Sequence, residues 1–151
     1  MPVSIASHLH VVYHETMKKD YSMLLKKAGL KVTPARELVL AAFSTDCGPI
    51  NAEFIHQRSG GKDINLVTIY RTLASLEAAG IIKRVDLQRG SAYYELAEHH
   101  HHHLVCTGCG TVEGFEGCGI EVVATEALKG SRFRTVSGHS LELFGTCKKC
   151  G

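Results

Sequence analysis

Cys106/Cys109 and Cys147/Cys150 form two Cys-x-x-Cys pairs, each followed by glycine (CTGCG at 106–110, CKKCG at 147–151), and five histidines at 99–103 lead into the first pair. Two thiolates at this spacing reach one ion from a single tight turn. Two such turns supply the four sulfurs that tetrahedral Zn²⁺ accepts, and a site closed by four protein ligands is structural. The same cysteines can instead form two disulfides, which require an oxidising compartment. Nothing in the chain points to one. The short apolar stretch around Val3–Ala6 soon meets His8, His10, His14, Lys18 and Lys19 and makes no secretory signal. The expectation is a Zn(Cys)4 clamp in a cytoplasmic, reducing setting.

The histidine run is internal, which sets it apart from an expression tag; a flexible polar loop is another reading. As a strand with period two it presents His99, His101 and His103 on one side and His100 and His102 on the other. One short strand can then serve two metal sites. Glu121, at the head of the amphipathic stretch Ile120–Leu128, and His139, at the head of an alternating strand 139–145, can close a site with His100 and His102. Glu95 can join His101 and His103. Imidazole with carboxylate suits Fe²⁺, Mn²⁺, Zn²⁺ or Co²⁺ and holds them more reversibly than four thiolates do, as a sensor requires. Cys47 reads as a small residue in a turn. Cys118, between two glycines and near Glu121, reads the same way, with a stray ligand or a redox handle as the alternatives.

These residues need elements to position them. ETMKKDYSMLLKKA (15–28) has helical spacing and ends at Gly29; Thr33-Pro34 opens a second helix, with Thr33 as cap and proline at its first position. Asn51 caps a short third helix through about Gln57. Asn65 caps a fourth, LVTIYRTLASLEAA, which stops at Gly80 and buries Leu66, Ile69, Leu73, Leu76 and Ala79. Runs at 81–87 and 92–96, separated by Gln88-Arg89-Gly90-Ser91, read as a hairpin. Three helices, a polar-faced fourth and a hairpin make a winged helix-turn-helix. The fold class is α+β: this domain over 1–92, with a leader holding His8, His10 and His14, then a small metal-binding α/β domain over 93–151, and a hinge near 86–98.

Charge divides the same way. Residues 1–90 hold twelve Lys/Arg against eight Asp/Glu, whereas 91–151 hold five against seven. A basic front half suits a polyanion. On the fourth helix Arg71 can donate two hydrogen bonds to guanine and Tyr70 can pack on a thymine methyl, beside Thr68; Lys31 and Arg36 suit phosphate or minor-groove contact. A solvated helix face is the plainer reading of the same residues. No run of eighteen apolar residues offers a membrane span.

LKKAGLKVTPAR (25–36), TIYRTL (68–73), YEL followed by HHHHHLVCTGCG (94–110) and HSLELFGTC with Cys150 (139–150) resemble the ferric uptake regulator family, from about Ser22 to Gly151. The resemblance implies a homodimeric, metal-responsive transcriptional repressor with a C-terminal dimerisation domain. It implies structural zinc on Cys106, Cys109, Cys147 and Cys150, and a regulatory hinge metal on Glu95, His101 and His103. A second metal falls on His100, His102, Glu121 and His139, and DNA contacts fall on Lys31, Tyr70 and Arg71. The partner is a double-stranded operator, an AT-rich inverted repeat. Many members add a hinge histidine before the third helix, where this chain has Gly48-Pro49-Ile50. Leu96 and Lys83 stand where zinc sensors carry Cys and Asp, and Glu95 stands where peroxide sensors favour Asp. Fe²⁺ is therefore the favoured regulatory metal, with Zn²⁺ or Mn²⁺, and zinc-, manganese- or peroxide-sensing members of the same family, as alternatives. An enzyme is disfavoured, because His14-Glu15-Thr16-Met17-Lys18 lacks the second histidine of a zinc-hydrolase helix. A cytosolic metal buffer or chaperone explains the histidines but leaves TIYRTL and the wing without a role.

Overall fold

The computed structural model describes residues 21–43, 48–61, 64–98 and 101–151. The expectations on Cys47, His8, His10, His14, His99 and His100 lie outside these residues. Among the described residues four helices come first: α1 (Tyr21–Lys27), α2 (Pro34–Phe43), α3 (Ala52–Arg58) and α4 (Leu66–Ala78). Local chemistry sets their ends. Asn51 Oδ1 accepts from Phe54 N at 2.9 Å, and Asn65 Oδ1 accepts from Thr68 N at 2.8 Å, so each asparagine satisfies an otherwise orphaned amide of its helix. At the far end of α4, Gly80 takes φ +69°, and the amides of Gly80 and Ile81 bond back to Glu77 and Leu76. Glycine adopts that left-handed turn without a Cβ penalty.

The wing is antiparallel: β1 (Ile82–Val85) pairs with β2 (Tyr93–Leu96) in the register Ile82↔Leu96 and Lys83↔Glu95. A bridge between Ile50 and Tyr94 ties it to the lead-in of α3. Helices and wing share one core in which Leu25, Val39, Leu40, Ile69, Leu73 and Leu76 are completely buried. Full burial of such a side chain contributes about 1.5–3 kcal/mol, and this core holds helices and wing together.

The second sheet has the order β4-β3-β5, built from β3 (His102–Cys106), β4 (Val112–Phe115) and β5 (Glu142–Gly145). β3 pairs antiparallel with β4 and parallel with β5. The strand expected from His139 begins only at Glu142, because its partner β3 begins at His102 and pairing starts at His103↔Glu142. His139 lies in the approach to it. β4 has little signature in the sequence: VEGF is short, contains glycine and alternates weakly. Helix α5 (Ile120–Leu128) buries none of its residues. Leu104 and Leu143, side by side in the sheet, are also exposed, as are Val122, Val123 and Phe133. The wing and this sheet meet in a small apolar cluster of Val85, Leu87 and Val105, flanked by Tyr93 and Val112. Among the described residues no helix is long and apolar enough to cross a membrane.

Candidate metal centres and nucleic-acid face

Parallel pairing of β3 with β5 sets Cys106 opposite Gly145, which brings the turn holding Cys109 beside the one holding Cys147 and Cys150. The ligand atoms of all four cysteines lie within 4.8 Å of one another, and Cys109 Sγ is 3.7 Å from Cys147 Sγ. A zinc tetrahedron with Zn–S bonds of about 2.3 Å has edges of about 3.8 Å. The donor set therefore fits zinc. Backbone amides, Cys109 N first and then Cys147 N, hold the Cys106 thiol down to about 6, and the neighbouring thiols, Cys147 foremost, push Cys150 up to about 12. Four crowded sulfurs ionise together only when a cation shares their charge. Gly108 leaves them room: a Cβ there would lie 3.2 Å from Cys150 Sγ.

A second cluster joins the two parts of the molecule. Glu95 sits in wing strand β2, His101 immediately precedes β3, and His103 lies near its start. Their Nε2 atoms lie 2.9 Å and 3.0 Å from Glu95 Oε2. Glu95 Oε1 faces Lys83 Nζ at 3.0 Å across the wing register. These are charge-pair distances without hydrogen-bond angles, so both Glu95 oxygens and His103 Nε2 are buried without a hydrogen bond. Buried polar atoms in that condition suit a metal ion. Burial pushes the Glu95 carboxyl up, but His103 and Lys83 beside it outweigh burial and hold it below its ordinary value. The pairing of Lys83 with Glu95 follows from the hairpin register.

Of the residues read as a second site, His102 and His139 come together, with ring centroids 5.1 Å apart. Glu121, exposed at the head of α5, is not in their cluster; Cys118 is, and the ligand atoms of His102, Cys118 and His139 lie within 4.8 Å of one another. Sequence spacing carries little sign of this, because 21 residues and a helix separate Cys118 from His139.

The exposed side of α4 presents Val67, Tyr70 and Arg71, while Thr72 is buried. Thr68 Oγ1 donates to Asn65 Oδ1 at the helix start, and the Tyr70 hydroxyl donates to Glu53, which raises its pKa. Lys31 is exposed. Arg36 is turned inward, donating to the Lys31 carbonyl at 2.7 Å and to Ser75 Oγ at 3.1 Å. It therefore joins the start of α2 to α4 and braces the exposed face.

A winged helix-turn-helix followed by an α/β domain with clustered metal ligands defines a two-part metal-binding regulator. The ferric uptake regulator family model matches residues 27–144. The ferric uptake regulation protein of Vibrio parahaemolyticus is 38% identical over 136 residues, spanning 87% of this chain and 91% of that protein. The crystal structure of the Vibrio cholerae ferric uptake regulator superposes with a TM-score of 0.71 at 37% identity, covering 85% of this chain and 100% of that one. The Helicobacter pylori ferric uptake regulator, whose structure is described as revealing three functional metal-binding sites, aligns with a TM-score of 0.68 at 27% identity, covering 98% and 94%. The chain belongs to the ferric uptake regulator family and is a metal-responsive, DNA-binding regulator of transcription.

Proposed function

We propose that this protein is a cytoplasmic repressor that binds its operator, an AT-rich inverted repeat in duplex DNA, as a homodimer when a regulatory metal joins Glu95 to His101 and His103. Fe²⁺ is the favoured metal, in keeping with the names of the relatives, and Mn²⁺ or Zn²⁺ are the alternatives. The observation that carries the reading is the position of Glu95 on the wing, within 3.0 Å of two histidines on the other sheet. The DNA-binding unit ends and the metal-binding unit begins within 86–98. A bound dication would satisfy the buried Glu95 oxygens and His103 Nε2, which make no hydrogen bond. Glu95, His101 and His103 then fix the wing against the ligand strand, so two recognition helices hold one spacing in the dimer. Cys106, Cys109, Cys147 and Cys150 hold structural zinc, and the exposed apolar residues of α5 and β5 are covered by the second copy. A regulator explains α4 and the wing, which an enzyme or a metal buffer leaves idle.

A gel shift with and without Mn²⁺ tests this reading. Operator binding should strengthen with metal and fall steeply with salt, because lysines and arginines that bind phosphates release counterions from the DNA; indifference to metal would leave the buffer reading. Arg71→Ala should cost about 1–3 kcal/mol of preference for operator over random duplex, measured by competition, because a base contact carries sequence information. Lys31→Ala should weaken binding to both duplexes alike.

Lys83 sets the strength of the hinge site. Its ammonium lies 3.0 Å from Glu95 Oε1, and a dication bound to the same buried carboxylate is repelled by it, by on the order of 1.5 kcal/mol even with the screening of bulk water. Lys83→Met should therefore tighten metal binding at the hinge roughly tenfold, measured against a chelator, whereas Lys83→Arg should not. Weaker binding in Lys83→Met would mean that the lysine orients Glu95 instead.

A further inference from the structure

The geometry points to a metal site of a different chemical kind on the other side of β3: two imidazoles and a thiolate, from His102, His139 and Cys118, that select a softer dication, Zn²⁺, over Mn²⁺ or Fe²⁺. This rests on reading His102 and His139 as ligands, and departs from it in replacing the Glu121 carboxylate with sulfur. His102 is buried on β3, His139 precedes β5, and Cys118 lies in the loop before α5. Three separate segments thus converge on one point. Cys118 Sγ is 3.6 Å from His139 Nε2. For tetrahedral zinc with bonds of about 2.3 Å to sulfur and 2.0–2.1 Å to nitrogen, that edge is about 3.6 Å.

The surroundings suit such a site. Gly117 takes φ +88°, a left-handed turn that a side chain would strain, immediately before Cys118. The Phe115 ring stands 5.4 Å from that of His102 and gives the site an apolar wall. Glu121 is only three residues beyond Cys118, yet it is exposed and outside the cluster. When a sulfur–metal bond forms, the Cys118 thiol releases its proton to solvent. A thiolate in place of a carboxylate shifts preference from Mn²⁺ towards Zn²⁺. One strand then carries two sites of unlike hardness: oxygen and nitrogen towards the wing, sulfur and nitrogen away from it.

The test is an anaerobic Co²⁺ titration of full-length protein whose four-cysteine site is already filled with zinc. Occupancy of the second site should bring a sulfur-to-cobalt charge-transfer absorption in the near ultraviolet. Cys118→Ser should lose that band and weaken Zn²⁺ binding by about tenfold or more, while Cys118→Asp should lose it and move the preference towards Mn²⁺. Glu121→Ala should keep both band and affinity. Cobalt binding without the band, or a larger loss in Glu121→Ala than in Cys118→Ser, overturns the sulfur ligand while leaving the two histidines in place. Equal cobalt stoichiometry in wild type and His139→Ala overturns the underlying assignment of the histidines.

Discussion

His101→Ala should abolish the stimulation of operator binding by divalent metal while zinc content and dimerisation stay as in the wild type. The size of the loss follows from what a regulatory ligand can do. Coupling between two sites is typically 1–3 kcal/mol, a change in affinity of about 5- to 150-fold, and that whole factor should vanish. His101 is the informative choice because its side chain is 24% exposed, against 3% for His103. Both histidines neighbour Glu95, but truncating the buried His103 would also open a cavity. Fluorescence anisotropy on operator DNA with Mn²⁺, beside metal analysis and gel filtration, makes the measurement. A variant still stimulated as strongly as the wild type would remove the hinge cluster from the mechanism.

Cys147→Ser, or exhaustive chelation, is expected to release zinc and unfold the sheet of β3, β4 and β5, with loss of the dimer, while the helical core stays folded. The two halves bury apolar surface very unequally. The reading head has a core completed by α1–α4 and the wing. The second sheet contributes Val105 and little else that is buried and apolar, and α5 contributes nothing. β5 has four residues at the edge of its sheet, fastened at its end by Thr107 N to the Gly145 carbonyl at 2.8 Å and Cys147 N to Cys106 Sγ at 3.2 Å. With so little core, metal binding is folding free energy. Hydrogen exchange should show protection lost in β3 and β5 and kept in α2 and α4. Continued protection of β5 in zinc-free protein would show that the sulfur clamp is dispensable.

Much of this molecule could be read from one-dimensional pattern because the governing physics is local. Asn51 and Asn65 cap their helices through amides three residues on, and Gly80 stops α4 through its own backbone freedom. The two Cys-x-x-Cys turns are short enough to be recognised singly, and zinc chemistry supplies the reason to join them. What escaped depends on distance along the chain. β4 has no strong alternation and exists because β3 offers an edge. Cys118 enters a cluster only through the path of the chain between two glycines and α5. Arg36 has the charge of a phosphate contact, and its further hydrogen bonds to the Lys31 carbonyl and Ser75 Oγ are revealed only by the packing of α2 on α4. Lys83 becomes part of the hinge through strand register, which a shift of one residue would undo.

The apolar contact of Val85, Leu87 and Tyr93 with Val105 and Val112 bears on any attempt to retarget the protein. A chimera that grafts a foreign reading head onto this metal domain, with its junction inside 86–98, would sever that seam and leave both partners with greasy, unmatched surfaces. Cutting ahead of Ile82 keeps that seam whole but takes from the helices a hairpin that completes their core through Ile82, Tyr94 and Leu96, so the hairpin belongs to both units and a graft on either side of it must rebuild an apolar contact.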